Sequence, residues 1–423
     1  MDLHPLRKPS KLKIYAPWFA PTNWIYKYRI EHPLRALDET GLSDTILDRR
    51  HVEKLLPGFD DAREARIAAM SLADAYWLHM DITEQWLDIA RKEVRPAIFY
   101  GVDDHVEEID YLNPAFKTLG TKVDGKLLEE GAVVRMRKGP GNKDRILYED
   151  GKPVDMDGTI FDVKENHARV KRLKSFAVLA DGIVVSTPYL ENVWRAYGAG
   201  NILVYPNSIN FGIYPEIELR DHPKEVRILW TGGASHFTDL FDIVAPLKRV
   251  LKKYPHATFH VFGQEWQWLT KELGGAQCFY DGWVDPQAYT LRLSTLNHDI
   301  NLCPLRETPF NEAKSAIKWY ESSAICKPAA TLAKRFGAFL EIEEDKTGLL
   351  YTTNEEFELK LSALIEDASL RQRLAKASSE WVHEFRDLRK NVLPLGLWIQ
   401  ERCEVRRNAN ASAASEPDEP RVE

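Results

Sequence analysis

The chain has 423 residues, of which 44% are hydrophobic and 29% charged, and its formal net charge is −7 at pH 7. This length predicts two domains, and the composition is typical of a globular, water-soluble protein. No apolar run approaches the ~20 residues that span a bilayer. The first residues lack a signal-peptide core, and four scattered cysteines without CxxC spacing argue against a disulfide framework or a zinc site. We therefore expect a cytoplasmic protein.

The first half of the chain alternates between strand and helix patterns. Short apolar runs predict strands, and helical spacing of apolar residues predicts helices. The expected strands are 12–15, 75–78, 97–100, 182–186 and 202–205, and the expected helices are 30–37, 84–91, 164–179 and 189–197. Residues 117–160 break this rhythm because they are rich in Gly, Lys, Asp and Glu with several turn signals. We interpret them as an inserted β-hairpin region or long loop.

A polar, proline-containing segment at 211–225 predicts a linker, after which a second alternating series begins. Its expected strands are 226–230, 258–262, 277–280 and 299–303, and its expected helices are 239–253, 286–296 and 313–324, before a helix-rich end at 355–402. The sequence thus predicts an α/β protein with two parallel-sheet domains and a cleft between them. The expected parts are an N-terminal domain 1–210, a C-terminal domain 226–385, a terminal helix 386–402 packing back on the N-terminal domain, and a disordered tail 403–423.

Three segments carry further motifs: the stretch from Phe310 to Glu321, the segment 180–188, and 205–208 (YPNS). Together they resemble the family 4 glycosyltransferases, which are retaining, metal-independent enzymes of the GT-B class. The resemblance implies two facing Rossmann-like domains and a UDP- or GDP-linked sugar as co-substrate, with no metal or other cofactor. The family has two glutamates eight positions apart; here the second is Glu321, whereas Ala313 stands at the first position.

The resemblance gives Glu321 the role of binding the ribose hydroxyls of the donor, and a carboxylate can accept two hydrogen bonds from a vicinal diol. Lys314, Ser315 and Lys318 would add charge and donors at a helix start, where backbone N–H groups favour a diphosphate. An amphipathic helix with solvated lysines is the alternative. Gly263 matches a position where the family holds the nucleotide base, although a plain turn is an equal interpretation.

Gly232 and Gly233 follow the first strand of the second series, where glycine lets the backbone approach a phosphate closely. The family carries an arginine–lysine pair in this region, and this sequence has no clear equivalent. We therefore expect His236, Lys314 and Lys318 to stabilise the leaving diphosphate as cations or donors. For His236 the alternative is a helix N-cap or a donor behind the site.

Acceptor-facing residues are expected in the first domain. Tyr28 and Arg29 resemble the acceptor-side loop of the family, and Arg29 would bind a phosphate or carboxylate unless it forms a surface salt bridge. Asp103, Asp104 and His105 follow a strand and are candidates for acceptor contact or proton removal, with N-capping by either aspartate as the alternative. Paired aspartates also suggest a metal site of the other glycosyltransferase class, which the GT-B resemblance argues against.

These features predict a hexosyltransferase that moves a sugar from a nucleoside diphosphate sugar to a hydroxyl of a glycan, glycolipid or protein, with retention. Basic stretches at 135–145 and 164–174 leave open a transferase that acts on hydroxylated bases of DNA, whose duplex binding would weaken steeply with salt. Solvated surface is the other interpretation of both stretches. The departures from the family motifs also leave open a catalytically inert sugar-nucleotide-binding protein, and the scaffold leaves open an epimerase.

Overall fold

The structure is a computed structural model of the whole chain. It describes residues 11–17, 23–47, 62–80, 84–109, 113, 115–123, 125–130, 133–138, 144–146, 148–149, 152–153, 160–219, 222 and 224–415. Part of the predicted basic stretch at 135–145, including Lys143, lies outside these residues.

The strands follow one another along the whole chain. They are β1 Leu12–Tyr15, β2 Ser43–Ile46, β3 Ala75–His79, β4 Ala97–Val102, β5 Lys122–Val123, β6 Lys126–Leu127, β7 Val133–Lys138, β8 Asp144–Ile146, β9 Tyr148–Glu149, β10 Lys152–Pro153, β11 Ile160–Asp162, β12 Gly182–Val185, β13 Ile202–Val204, β14 Val226–Gly232, β15 Ala257–Gly263, β16 Cys278–Asp281, β17 Ile300–Cys303, β18 Ala330–Lys334 and β19 Leu349–Tyr351.

The α-helices separate these strands and close the chain. They are α1 Trp24–Tyr26, α2 His32–Glu39, α3 Ala62–Leu72, α4 Glu84–Ile89, α5 Phe116–Leu119, α6 Val163–Leu179, α7 Pro188–Ala196, α8 Phe237–Phe241, α9 Val244–Lys253, α10 Gln267–Leu273, α11 Pro286–Thr295, α12 Pro309–Glu312, α13 Ile317–Ala324, α14 Asn354–Glu366, α15 Ala368–Phe385 and α16 Leu388–Ser415. No described helix combines the length and apolarity that crossing a membrane requires.

The chain divides into two compact units, and the first contains residues 1–102, 172–205 and 388–423. Its six-stranded sheet has the order β13-β12-β4-β3-β1-β2, and all neighbouring strands are parallel. Every residue of β3, β4 and β12 is buried, because helices cover both faces of a parallel sheet and its central strands become continuous apolar runs.

The second unit contains residues 103–171 and 206–387. Its six-stranded parallel sheet has the order β16-β15-β14-β17-β18-β19. The sheet core includes Trp230, Phe259 and Leu302, which pack with apolar residues of the surrounding helices. The order reverses on either side of β14, so β14 and β17 are the pair at which this sheet changes direction, and ligands of such sheets bind at the carboxyl ends of that pair.

The boundaries of the units correct the predicted domains. Residues 103–171 belong to the second unit, whereas the sequence placed everything up to 210 in the N-terminal domain. The physical reason is an apolar cluster in which Ile109, Phe116, Leu128 and Val163 pack around Phe310 of the second sheet's α12. These contacts join positions far apart in the sequence, which the local pattern does not reveal.

The terminal helix also differs from the prediction. α16 belongs to the first unit and continues to Ser415, so the expectation of a disordered tail is wrong for residues 403–415. Val392, Ile399 and Cys403 bury one side of this helix in the first core, and Asn410 Nδ2 donates to the Arg95 carbonyl at 3.0 Å. The added anchoring explains why the small, polar residues near this end remain helical.

Close packing between β12 and α16 yields a stability prediction. A Cβ on Gly182 would overlap the ring of Trp398, which packs edge-on against Phe99 with ring centroids 5.6 Å apart. We expect Gly182→Ala to lower the unfolding free energy by about 1–3 kcal/mol through overpacking. Urea unfolding measures the change.

Gly200→Ala is the matched control, because a Cβ there meets no atom within 4 Å. Equal stability of the two variants would contradict the described packing of α16 on β12.

Candidate functional site

Two glycines end adjacent strands at the carboxyl edge of the second sheet. Gly232 of β14 pairs with Gly263 of β15 in parallel register. Gly263 has φ +123°, and a Cβ on it would overlap the Gly232 carbonyl oxygen. Both the left-handed backbone and the close approach require glycine at 263. Beside this turn, the Trp283 ring lies 3.4 Å from where a Cβ on Gly233 would stand, and Trp283 is 60% exposed.

The ammonium group of Lys318 lies at the same turn. Its Nζ is 3.2 Å from the position of a Cβ on Gly232 and 4.9 Å from the centroid of the Trp230 ring. Burial lowers the pKa of Lys318, while the nearby carboxylates of Asp239 and Glu321 act in the opposite direction. A cation held on an aromatic face beside a glycine backbone suits an anionic ligand.

The chain changes direction just before Lys318. The predicted helix 313–324 is corrected here, because α12 ends at Glu312 and α13 begins only at Ile317. Ala316, the N-cap residue of α13, makes no side-chain cap, and the Trp319 N–H donates to its carbonyl at 2.9 Å. The start of such a helix favours an anion. Ser315 Oγ, in the intervening turn, accepts a 2.8 Å hydrogen bond from Asn207 Nδ2.

Lys314 and Asp104 form an ion pair with an Nζ–Oδ1 distance of 2.5 Å, and each side chain is 23% exposed. Lys314 also lies 4.2 Å from the centroid of the Phe310 ring. The structure thus joins a residue predicted for the donor with one predicted for the acceptor, both within the second unit. In this arrangement the Lys314 charge is already partly offset by Asp104.

Glu321 is a buried carboxylate on α13, with 6% of its surface exposed. Tyr289 donates to its Oε2 at 2.9 Å, and the Tyr289 ring stacks on Phe262 of β15 with centroids 5.2 Å apart. Burial and the Glu321 charge raise the pKa of Tyr289 well above its usual value, so its hydroxyl remains a donor. This contact fixes the orientation of the carboxylate.

His236 lies after the glycine turn and contacts a buried carboxylate. Its Nδ1 is 2.7 Å from Asp239 Oδ2, and because an ionised carboxylate only accepts, the proton lies on Nδ1. Burial and the Lys318 charge lower the pKa of His236 to about 4, so the imidazole is neutral at pH 7. The prediction that His236 supplies a ready-made cation is therefore not supported by its environment.

Asp103 and His105, which the sequence also predicts near the acceptor, follow β4 in the chain. Asp103 is partly exposed directly after β4, and His105 hydrogen bonds with the backbone of Pro309. Burial lowers the pKa of His105, so it too is neutral at pH 7. Of this group, Asp104 contacts a predicted donor-site side chain, that of Lys314.

Tyr28 and Arg29 lie in the first unit and are buried, with 7% and 3% of their surfaces exposed. Arg29 Nη1 donates to the Tyr205 carbonyl at 2.7 Å, and its guanidinium lies 5.9 Å from the Tyr205 ring centroid. The alternative of a surface salt bridge is wrong, because the side chain is interior. Arg29 stabilises the end of the first sheet, and an acceptor-binding role stays a prediction.

Two side chains of the basic stretch at 164–174 make contacts with partly exposed neighbours in the protein. Arg169 pairs with Glu165 at 3.4 Å, and Lys174 lies 3.7 Å from the centroid of the Tyr197 ring.

Among the described residues, no group of three or more His, Cys, Asp and Glu side chains could hold a metal ion.

Two residues of this site were not singled out from the sequence. Asp239 stands three positions after His236 at the start of a helix, and that i, i+3 spacing is a local signal of their contact. Tyr289 stands 32 positions before Glu321, and no sequence pattern links them.

Comparison with known proteins places this geometry in a fold class. No family model and no curated protein matches the chain. Solved structures do: sucrose-phosphate synthase from Thermosynechococcus elongatus superposes with a TM-score of 0.58 at 13% identity, over 95% of this chain and all of its own. A glycosyltransferase from Rickettsia africae gives 0.57 at 11% identity over 94% and 98%. HepE from Anabaena, solved with UDP-glucose, gives 0.53 at 12% identity over 94% and 99%.

These similarities extend over both units and define the protein as an α/β protein with the GT-B fold of glycosyltransferases. The fold predicted from the sequence is thereby confirmed. At 11–13% identity the comparisons establish the fold alone, so the chemistry rests on the residues described above.

The Tyr289–Glu321 contact gives a testable prediction. Tyr289→Phe removes a hydrogen bond to a buried carboxylate, which costs about 1.5–3 kcal/mol of unfolding free energy. Chemical denaturation checks this value. In Tyr280→Phe, the control, the lost bond runs to the neutral carbonyl of Gly263 at a partly exposed site, and about 0.5–1.5 kcal/mol is expected. A smaller loss at Tyr289 than at Tyr280 would contradict the described contact.

Proposed function

We propose that this protein is a glycosyltransferase that binds a nucleoside diphosphate sugar on its second unit and transfers the sugar to a hydroxyl group with retention. The single observation that carries the proposal is that the short helix α13 bears both Lys318 and Glu321. Lys318 lies beside Gly232, and Glu321 accepts a hydrogen bond from Tyr289. One end of that helix offers a cation and N–H groups for a diphosphate. The next turn offers a carboxylate for a ribose diol.

The proposed donor pose follows from this polarity. The diphosphate would lie between the Gly232 backbone, Lys318 and the start of α13, where positive charge stabilises the leaving group as the glycosidic bond breaks. Glu321 would accept from the two ribose hydroxyls. Trp283 presents an exposed ring beside Gly233 on which a nucleotide base would stack.

The acceptor side is less constrained. We propose a glycan, glycolipid or protein hydroxyl, with Asp103, Asp104 and His105 as the candidate contacts. Because Asp104 already binds Lys314, a direct role of Asp104 as base would require that ion pair to open. Burial lowers the pKa of His105, so its neutral imidazole can accept a proton at neutral pH.

A donor panel tests the proposal. UDP-glucose, UDP-N-acetylglucosamine and GDP-mannose are each incubated with glycan, glycolipid, peptide and hydroxymethylated-DNA acceptors, and products are identified by mass spectrometry. A transferase gives an acceptor heavier by one sugar, and NMR of the new anomeric centre then tests retention. Donor binding without turnover on any acceptor would instead favour the inert sugar-nucleotide-binding protein, which the Ala313 departure and the neutral His236 motivate.

Glu321 provides the direct mutational test. We expect Glu321→Ala to weaken donor binding about 10- to 100-fold, because hydrogen bonds to a charged group contribute about 1.5–3 kcal/mol. Isothermal titration calorimetry with the donor chosen by the panel measures this affinity.

Glu341→Ala is the matched control. Glu341 also accepts from a tyrosine, Tyr320, and pairs with Arg386 at 2.8 Å, so its loss removes a comparable structural contact elsewhere in the unit. Unchanged donor affinity in Glu321→Ala, or an equal loss in Glu341→Ala, would count against a ribose-binding role.

A further inference from the structure

Asp239 connects three parts of the candidate site. Its Oδ2 accepts from His236 Nδ1 at 2.7 Å, while Oδ1 accepts from the Arg306 backbone N–H and from Asn311 Nδ2, both at 2.9 Å. Only 1% of Asp239 is exposed. Burial opposes its ionisation, but these hydrogen bonds and the Lys318 charge hold the pKa of the carboxyl below its usual value. Asp239 is therefore a fixed negative charge behind the glycine turn.

His236 has two different edges in this arrangement. The Nδ1 edge faces the buried Asp239, yet 18% of the histidine side chain is exposed. Nε2 is the ring nitrogen that does not face Asp239. In the neutral ring Nε2 bears a lone pair and accepts hydrogen bonds, and it becomes a donor only after it takes up a proton.

We infer that Asp239 is a positioning residue that holds His236 so that Nε2 takes a proton from solvent when a diphosphate binds beside Lys318. The resulting imidazolium donates to a phosphate oxygen and remains paired with Asp239. When the nucleotide leaves, the proton returns to solvent. This inference rests on the proposed function and adds to it a second cation beside Lys318.

The charges around His236 explain the direction of the change. Asp239 faces it from α8, Lys318 from α13, and Lys314 from the turn before α13. Cys303 and Glu321 in turn raise the pKa of Lys318, against the effect of burial. Before a ligand binds, the positive charges of the two lysines oppose protonation of His236. A bound diphosphate offsets their charge and adds its own, so Asp239 becomes the dominant neighbour and the proton is stabilised.

Linkage gives the sign of the pH dependence. Because the complex binds one proton more than the separate partners, donor affinity rises as pH falls, by up to about tenfold per pH unit between the free and bound pKa values of His236. Above the bound value the affinity is constant. UDP-glucose and GDP-mannose are suitable ligands, since the charge of a diphosphate diester does not change over the range from about pH 5.5 to 8.

Calorimetry with these two donors at about pH 6.5, in MES and in imidazole buffer, counts the protons taken up because the buffers differ in ionisation enthalpy. We expect an uptake of up to about one proton per bound donor. Equal apparent enthalpies in the two buffers would overturn the inference while leaving the proposed function intact. Failure of every donor of the panel to bind at millimolar concentration would overturn the proposed function, and the inference with it.

Two variants and a control assign the proton. His236→Asn keeps an amide donor toward Asp239 but cannot titrate, and Asp239→Asn removes the counter-charge; both are expected to abolish the uptake. His260→Gln is the matched control, because His260 is another histidine of the second unit whose pKa burial lowers to about 4, and its uptake should equal that of the unmodified protein.

Uptake that persists in His236→Asn, or disappears in His260→Gln, would overturn the inference. Nitrogen NMR of the imidazole supplies a readout that needs no ligand. His236 should show its proton on Nδ1 in the unmodified protein, and a proton on Nε2 instead would contradict the role of Asp239.

Discussion

The candidate site depends on one partly buried ammonium group. Lys318 places its charge against the Trp230 ring and the Gly232 backbone, where burial disfavours it and the carboxylates of Asp239 and Glu321 favour it. A charge in such a position is retained at a cost to stability unless a ligand or a counter-ion compensates it. Asp239 and Glu321 supply part of this compensation, and the proposed diphosphate would supply the rest.

The neighbouring elements follow from that requirement. Glycine at 263 allows two strand ends to meet, and the break between α12 and α13 leaves an uncapped helix start beside Lys318. Tyr289 donates a hydrogen bond to the buried Glu321 carboxylate and orients it. The buried Asp239 carboxylate accepts a hydrogen bond from His236 Nδ1 and orients that ring. These residues come from four successive strand–helix connections, those after β14, β15, β16 and β17, at the edge where parallel sheets of this kind bind ligands.

The local sequence was sufficient for most of the fold. Apolar runs such as 97–100 and 226–230 predicted central strands because parallel strands are buried on both faces. The edge strand β2, with the sequence SDTI, is not predicted because three of its four residues are polar, and β19 is not predicted because it has only three residues. The position of residues 103–171 could not be predicted, because it depends on packing around Phe310, which is distant in sequence.

The residues of the candidate site also fall into two groups, those with a local sequence pattern and those that depend on tertiary contacts. Glycines at strand ends and lysines beside a helix start are local patterns, so Gly232, Gly263 and Lys318 were selected from the sequence. The protonation state of His236 and the pairing of Lys314 with Asp104 depend on three-dimensional surroundings.

The most direct measurement is a crystal structure with UDP-glucose or GDP-mannose bound. The account predicts the diphosphate within hydrogen-bond distance of Lys318 Nζ and the ribose hydroxyls on Glu321. A nucleotide bound away from both residues would contradict it.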